Sequence, residues 1–220
     1  MKKIISTILF TCFIVSISAC NFQNSDGKKD SGKYASETRN DFGFREIKAG
    51  NAVILIISVQ EEFGVTVEGD EKLLKDVKTE VEGETLIIST KGNQISPTNK
   101  IRLKISMPEL LSLELWGGSE ATVTKAKSDS LKIQIGGTSA VVIDGETKSL
   151  KATANGASKI DAENLKAENA EVKAAGTSEI IVSAANDLTA EAFGASTIYY
   201  IGEPKNLKQN IVGTSEVRKK

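Results

Sequence analysis

Apolar and polar positions alternate through most of the chain from residue 111 onward. Six residues ahead of a recurring glycine stand Leu111, Leu131, Leu150, Ala170, Leu188 and Leu207. Four ahead stand Leu113, Ile133, Ala152, Val172, Ala190 and Gln209, and two ahead stand Leu115, Ile135, Ala154, Ala174, Ala192 and Ile211. Polar residues lie between them, as in Lys132 and Gln134, Lys151 and Thr153, or Glu171 and Lys173. A period of two is the mark of extended strand with one face turned inward. No 3.6-residue period competes with it, and Gly and Thr recur where a helix would favour Ala or Leu.

The pattern is also a repeat. Gly117-Gly118-Ser119, Gly137-Thr138-Ser139, Gly156-Ala157-Ser158, Gly176-Thr177-Ser178, Gly194-Ala195-Ser196 and Gly213-Thr214-Ser215 place their serines 20, 19, 20, 18 and 19 residues apart. A fourth apolar column follows each glycine: Ala121, Val141, Ile160, Ile180, Ile198 and Val217. A fixed period near this length means stacked units. The predicted fold is all-β: a right-handed parallel β-helix or solenoid of about six coils. At ~3.3 Å per residue, one copy traces a perimeter of roughly 60 Å. That suits a slim coil of three short faces, with a flattened two-sheet solenoid as the alternative. Interior alanines at 152, 154, 174, 190 and 192 agree with a narrow bore. In-register stacking would set Lys151 beside Glu171 and Lys173 beside Glu191. The six serines are expected to turn inward and bond a backbone group or the stacked neighbour at a bend.

Ahead of the repeats, shorter alternations predict a β-sheet cap region over residues 41–110. Asn51–Gln60 and Gly64–Val67 read as strands, Asp70–Val77 as one helical turn, and Thr79–Ile88 as a hairpin around Gly83. Lys91–Lys100 reads as a loop, and Ile101, Leu103 and Ile105 as a further strand. The region is expected to cover the open N-terminal end of the solenoid, because end strands are unpaired edges. Arg218, Lys219 and Lys220 are expected to guard the other edge with charge. Residues 41–220 thus form one domain, with the solenoid repeats at 111–220.

The first forty residues follow other rules. Lys2 and Lys3 precede an apolar run from Ile4 to Ala19, too short for a confident membrane span, so residues 1–19 read as a secretory signal. The run ends in Ile17-Ser18-Ala19-Cys20, which resembles the bacterial lipobox. That resemblance implies cleavage before Cys20 and acylation of its sulfur. Residues 20–40, rich in Asn, Ser, Gly, Lys and Asp, read as a flexible tether. The expected location is the cell envelope, with the outer membrane as the anchoring membrane and either face of it open.

Composition narrows the chemistry. The 28 basic and 29 acidic residues nearly cancel, which argues against nucleic acid as a partner. The chain has no histidine, and its two cysteines, Cys12 and Cys20, both lie in the first twenty residues. Histidine bases, histidine ligands and Ser-His-Asp schemes are excluded. Asp129, Asp144, Asp161 and Asp187 keep no common offset, so repeat-turn calcium sites are not expected. A sugar-cleaving site needs two carboxylates ~5–9.5 Å apart in a groove, and Asp161 with Glu179 is the weak candidate pair. No catalytic, cofactor or metal residues are predicted.

The order and spacing of several short motifs resemble the putative auto-transporter adhesin, head GIN domain family (DUF2807). They are Phe44-Arg45-Glu46-Ile47, Val53–Val59, Val65-Thr66-Val67-Glu68-Gly69, Leu86-Ile87-Ile88, Met107-Pro108-Glu109-Leu110, the Gly-x-Ser phrases, and Tyr200-Ile201-Gly202-Glu203-Pro204. The resemblance covers about Asp41 to Arg218. It implies a β-solenoid of secreted or lipid-anchored proteins common in Bacteroidetes-type bacteria, and it brings no catalytic motif. Gln209, polar in an apolar column, and Trp116, large beside the first glycine, depart from the pattern.

The expected role is non-enzymatic: a lipid-anchored surface for adhesion or for protein or glycan binding. The alternatives are a polysaccharide-acting enzyme and a periplasmic scaffold or signalling component. Contact candidates are Trp116, Phe193 and Tyr199, with Tyr200 beside them. Trp116 and Phe193 share an outward column four coils apart, roughly 19 Å. Phe193 beside Val212 is expected to form a small apolar patch, packed on the cap or on a second copy. The segments Thr124–Ser130, Asp144–Ser149, Glu163–Asn169 and Ile201–Asn206 are expected to project as turns. Expected partners are the membrane, through Cys20, and an unidentified protein or glycan, with homo-oligomers left open.

Overall fold

The computed structural model describes residues 31–91 and 101–220. The signal segment, Cys20 and nearly all of the Lys91–Lys100 loop lie outside the described residues. Four long strand runs, β9 (Glu120–Ile135), β10 (Ala140–Gly156), β11 (Lys159–Gly176) and β12 (Glu179–Gly194), stack in parallel. β13 (Thr197–Ile201) and then β15 (Glu216–Lys219) continue one flank, and β14 (Asn206–Gly213) continues the other. The protein is a parallel β-solenoid of about five turns. The six Gly-x-Ser phrases are six successive bends along one edge of the stack.

Register follows the sequence columns. Leu131, Leu150, Ala170, Leu188 and Leu207 pair in succession, as do Ile133, Ala152, Val172, Ala190 and Gln209. The predicted ladder pairs form, Lys151 with Glu171 at 2.8 Å and Lys173 with Glu191 at 3.5 Å. The glycine of each phrase is required. At Gly176, φ is +86° and a Cβ would stand 2.6 Å from the carbonyl oxygen of Gly156. That oxygen accepts the Thr177 N–H of the next coil at 2.8 Å, so it cannot turn aside. The same contact recurs at Gly156, Gly194 and Gly213.

The N-terminal region departs from expectation. It is not a sheet laid over an open end. β2 (Glu46–Ala49) and β3 (Ile54–Val59) are themselves a solenoid coil. They pair in parallel with β8 (Ser112–Leu115) and β9 on one side. On the other side they pair in parallel with β6 (Thr85–Thr90) and β7 (Arg102–Met107). The coil that comes first in sequence is therefore clamped between two that come later. The chain steps over it at residues 108–111, where Leu111 N–H donates to Arg45 O at 2.8 Å.

Only the outermost strands act as the cap. β4 (Gly64–Asp70) lies antiparallel on β7, β5 (Val77–Glu82) antiparallel on β6, and β1 (Tyr34–Arg39) antiparallel on β4. The predicted helical turn is α1 (Glu71–Leu74), capped by the Asp70 carboxylate on Lys72 N–H. β1 lies inside the segment read as tether. Its residues alternate between exposed and half-buried. It holds on through backbone pairing with β4, which needs few apolar side chains, so composition could not reveal it.

At the far end, Arg218 and Lys219 lie on β15 as charged edge residues, with Lys220 just beyond. β14 has no such guard: it is exposed along its whole length and carries a single charge, Lys208.

Candidate surface site

The serine ladder is structural. Ser119, Ser139, Ser158, Ser178, Ser196 and Ser215 are all buried. Each hydroxyl donates to the carbonyl three residues earlier, at 2.9–3.0 Å. Ser178, Ser196 and Ser215 also reach a carbonyl of the preceding coil, those of Ala154, Ala174 and Ala192. The side chain thus ties each bend to itself and, in the later coils, to its neighbour.

The predicted contact residues do not converge. Trp116 and Phe193 share one outward column with Gly136, Asn155, Ala175 and Val212. Tyr199 stands beyond the bend, between Ile181 and Arg218. Trp116 lays its ring over Gly136, where a Cβ would lie 2.3 Å from the ring's Cζ3, and stays 44% exposed. Phe193 carries Lys173 Nζ over its face at 5.0 Å, and Lys173 is also tied to Glu191. The column is a shallow lane with an aromatic near each end and small residues between. Val212 lies beside Phe193 as expected, but the strands of the cap are several coils away, so the cap does not cover that patch.

The segments expected to project do not all do so. Residues 124–130, 144–149 and 163–169 stay within the strand runs β9, β10 and β11, and their corners are tight. Lys125 at φ +60° and Gly145 at φ +130° turn the chain. A Cβ on Gly145 would fall 2.0 Å from Ala126 O. Beyond these corners the surface is concave, forming an open groove of about 550 Å3.

Sequence reading missed this groove. Ser128, Thr147 and Ala167 stack in register along its floor. One wall is the column Lys127, Glu146, Lys166; the other carries Asp129, Lys148 and Glu168, with Glu109 near one end. Charge alternates along each wall and across the gap. Lys127 pairs with Glu146 at 3.4 Å and Lys148 with Asp129 at 2.8 Å. The Asp129 hydrogen bond and charge, with Glu168 adding, push the Lys148 ammonium up from its usual range. The signal was present in the sequence as alternating lysines and acids at the repeat spacing, separated by small residues.

The arrangement can hold a polar chain against pre-positioned donors and acceptors. Asp161 and Glu179 do not form a dyad. Glu179 is tied to Lys159 at 2.7 Å, which also raises the lysine's pKa. Asp161 accepts Glu163 N–H at 3.2 Å and stands in register with Val142 and Ile181. Among the described residues, no group of three His, Cys, Asp or Glu could hold a metal ion, and no helix is long and apolar enough to cross a membrane.

The family described as putative auto-transporter adhesin, head GIN domain, matches residues 43–204, most of the chain. The protein belongs to that family. No curated protein matches it. Among solved structures, a putative adhesin from Bacteroides fragilis NCTC 9343 superposes with a TM-score of 0.72 at 18% identity, covering 87% of this chain and 99% of that one. Two proteins from Parabacteroides distasonis ATCC 8503 each give a TM-score of 0.55 at 20% identity over 87% of this chain and 98% of theirs. One was solved as a putative adhesin and the other as a putative lipid binding protein. At these identities the likeness is one of fold. The family match and these structures agree with the solenoid derived above.

Proposed function

We propose that this head GIN protein is a non-enzymatic, lipid-anchored component of the cell envelope that binds a protein or glycan along the side of its solenoid. The groove between the Lys127 and Asp129 columns carries this reading. It is large enough for a segment of polymer, rigid because every wall residue sits on a paired strand, and nearly neutral because its lysines and acids alternate. Polar polymers are held on such surfaces by many modest hydrogen bonds. The Trp116–Phe193 lane supplies apolar contact on another column. The names of the family and of its structural neighbours support adhesion as the purpose. Cys20 would carry the anchor, placing the protein in the outer membrane, with residues 21–30 as the spacer.

Two measurements test the reading. Protease shaving of intact cells is expected to cleave the protein; protection until the outer membrane is permeabilised would replace adhesion with a periplasmic scaffold. Purified residues 21–220 are expected to bind glycans or envelope proteins on an array, with Lys148→Glu weakening binding roughly tenfold. Polysaccharide turnover by the same preparation would sink the non-enzymatic reading.

A further inference from the structure

The two ends of the solenoid are finished differently. At one end β4, β5 and β1 run antiparallel to the strands beneath them. At the other, β14 pairs with β12 and with no other described strand. All eight of its residues are exposed, including Leu207 at 38%, Ile211 at 45% and Val212 at 52%. A long unpaired edge with exposed apolar side chains is a template for another strand, and natural proteins usually charge or bend such edges. β14 itself carries one charge, Lys208, and the three basic residues that follow are on or beyond β15, each tied to an acid of its own chain: Arg218 to Glu216, Lys219 to Glu203 and Lys220 to Glu163.

We infer that the β14 edge pairs antiparallel with the same edge of a second copy, across a two-fold axis at Gln209. In the first repeat Lys132 N–H, which shares a strand column with Lys208, donates back to Leu111 O of the preceding coil at 2.8 Å. Alternation along the strand then turns the amide groups of Leu207, Gln209 and Ile211 toward the open side, so hydrogen-bonding registers must set odd positions against odd ones. Centring on Lys208 places two ammonium groups opposite each other, which is destabilising. Centring on Asn210 sets Leu207 against Gly213 and Gln209 against Ile211. Centring on Gln209 sets Leu207 against Ile211 twice and Lys208 against Asn210 twice, and lets the two Gln209 amides donate to and accept from each other.

This register continues the apolar column across the junction and accounts for its one polar member. The antiparallel strands at the other end prevent head-to-tail growth, so the contact closes as a dimer. Residues 1–30 and 92–100 join the described chain at that capped end, which favours a second copy over a segment of the same chain. The dimer does not rest on the lipid anchor or on the lateral groove.

The test uses purified residues 21–220, which contain no cysteine. Sedimentation equilibrium is expected to show a concentration-dependent dimer. Gln209→Lys brings like charges face to face and is expected to weaken association roughly tenfold or more, with the fold intact by thermal melting. Val142→Lys, on the exposed side of the solenoid, is expected to leave association unchanged. Gln209→Cys treated with diamide is expected to form a disulfide-linked dimer, because directly opposed strand residues lie within disulfide reach; Asn210→Cys is expected to form far less. A natural chain that stays monomeric up to its solubility limit overturns the proposal. So does a dimer indifferent to Gln209→Lys, or equal cross-linking from positions 209 and 210.

Discussion

The two halves of the solenoid are held together by different means. Up to Trp116 the described core is built of Leu, Ile, Val, Met and Phe, with Phe44 meeting Phe63 edge to face at 5.2 Å. Ala49 is the only buried alanine there, whereas eleven are buried between Ala121 and Ala192. Burying a large side chain removes far more apolar surface than burying a methyl group. The later coils offset their thin core with regularity: parallel ladders, tight glycine bends and bonded serines. A thick core tolerates strands placed out of sequence order, while a thin one depends on every bend being alike.

The largest effect is therefore expected where regularity is broken. Gly176→Val forces a branched side chain into a left-handed conformation and onto the Gly156 carbonyl. It should cost at least ~3 kcal/mol and unravel the later coils. Gly83→Ala, at φ +62° with nothing within 4 Å, should cost only ~1–2 kcal/mol. Urea midpoints of the two variants check this, and equal losses would break the comparison.

Next come truncations of the cores. Leu113→Ala should cost ~2–5 kcal/mol, and Ala190→Gly about 1 kcal/mol. Native-state hydrogen exchange should show amides of β12 and β14 opening before those of β3 and β7; uniform protection would argue for one cooperative unit. Ser178→Ala is expected to cost ~1–2 kcal/mol, because the carbonyls of Ala154 and Ala175 lose a donor. Ser119→Ala should cost less, since that hydroxyl reaches only Trp116 O.

The smallest effects are electrostatic and opposite in sign. In the cap, the hydrogen bond from Lys104 holds the Glu68 carboxyl below its usual range, and Tyr34 adds a second bond. A lowered folded pKa gives stability that is present above the usual carboxylate range and lost as pH falls through the folded value. Glu68→Gln should remove that acid-side loss, worth less than about 1 kcal/mol at a pair whose lysine is exposed to solvent. In the repeats, Glu179 raises Lys159. That contribution is present below the usual lysine range and is lost as pH rises through the folded value. Lys159→Met should flatten the alkaline limb and leave the acid limb unchanged, as read from thermal melts across pH.

What could be read from sequence and what could not divide along the same line. In the repeats, a residue's place in the phrase is its place in space, because parallel in-register stacking converts period into position. That is why the columns, the Gly and Ser ladders, the Lys151–Glu171 and Lys173–Glu191 pairs and the Trp116–Phe193 column were legible. The groove was half legible: its charges alternate at the repeat spacing, but its concavity depends on the corners at Lys125 and Gly145. The neighbours of β2 and β3 were not legible. Ile47, Leu55, Ile57, Leu86, Leu103 and Ile105 belong to short strands of similar pattern, and any could sit beside any other. Which coil lies between which was decided by the fit of the whole stack, by the step over it at residues 108–111, and by the antiparallel strands that close the end. β1 was likewise invisible, since backbone hydrogen bonds to β4 hold it and backbone is the same in every residue. The sequence by itself determined the period, the bends and the faces. Tertiary structure alone decided the order of the first coils and left β14 as the unguarded edge, because pairing between distant strands depends on which edges remain free.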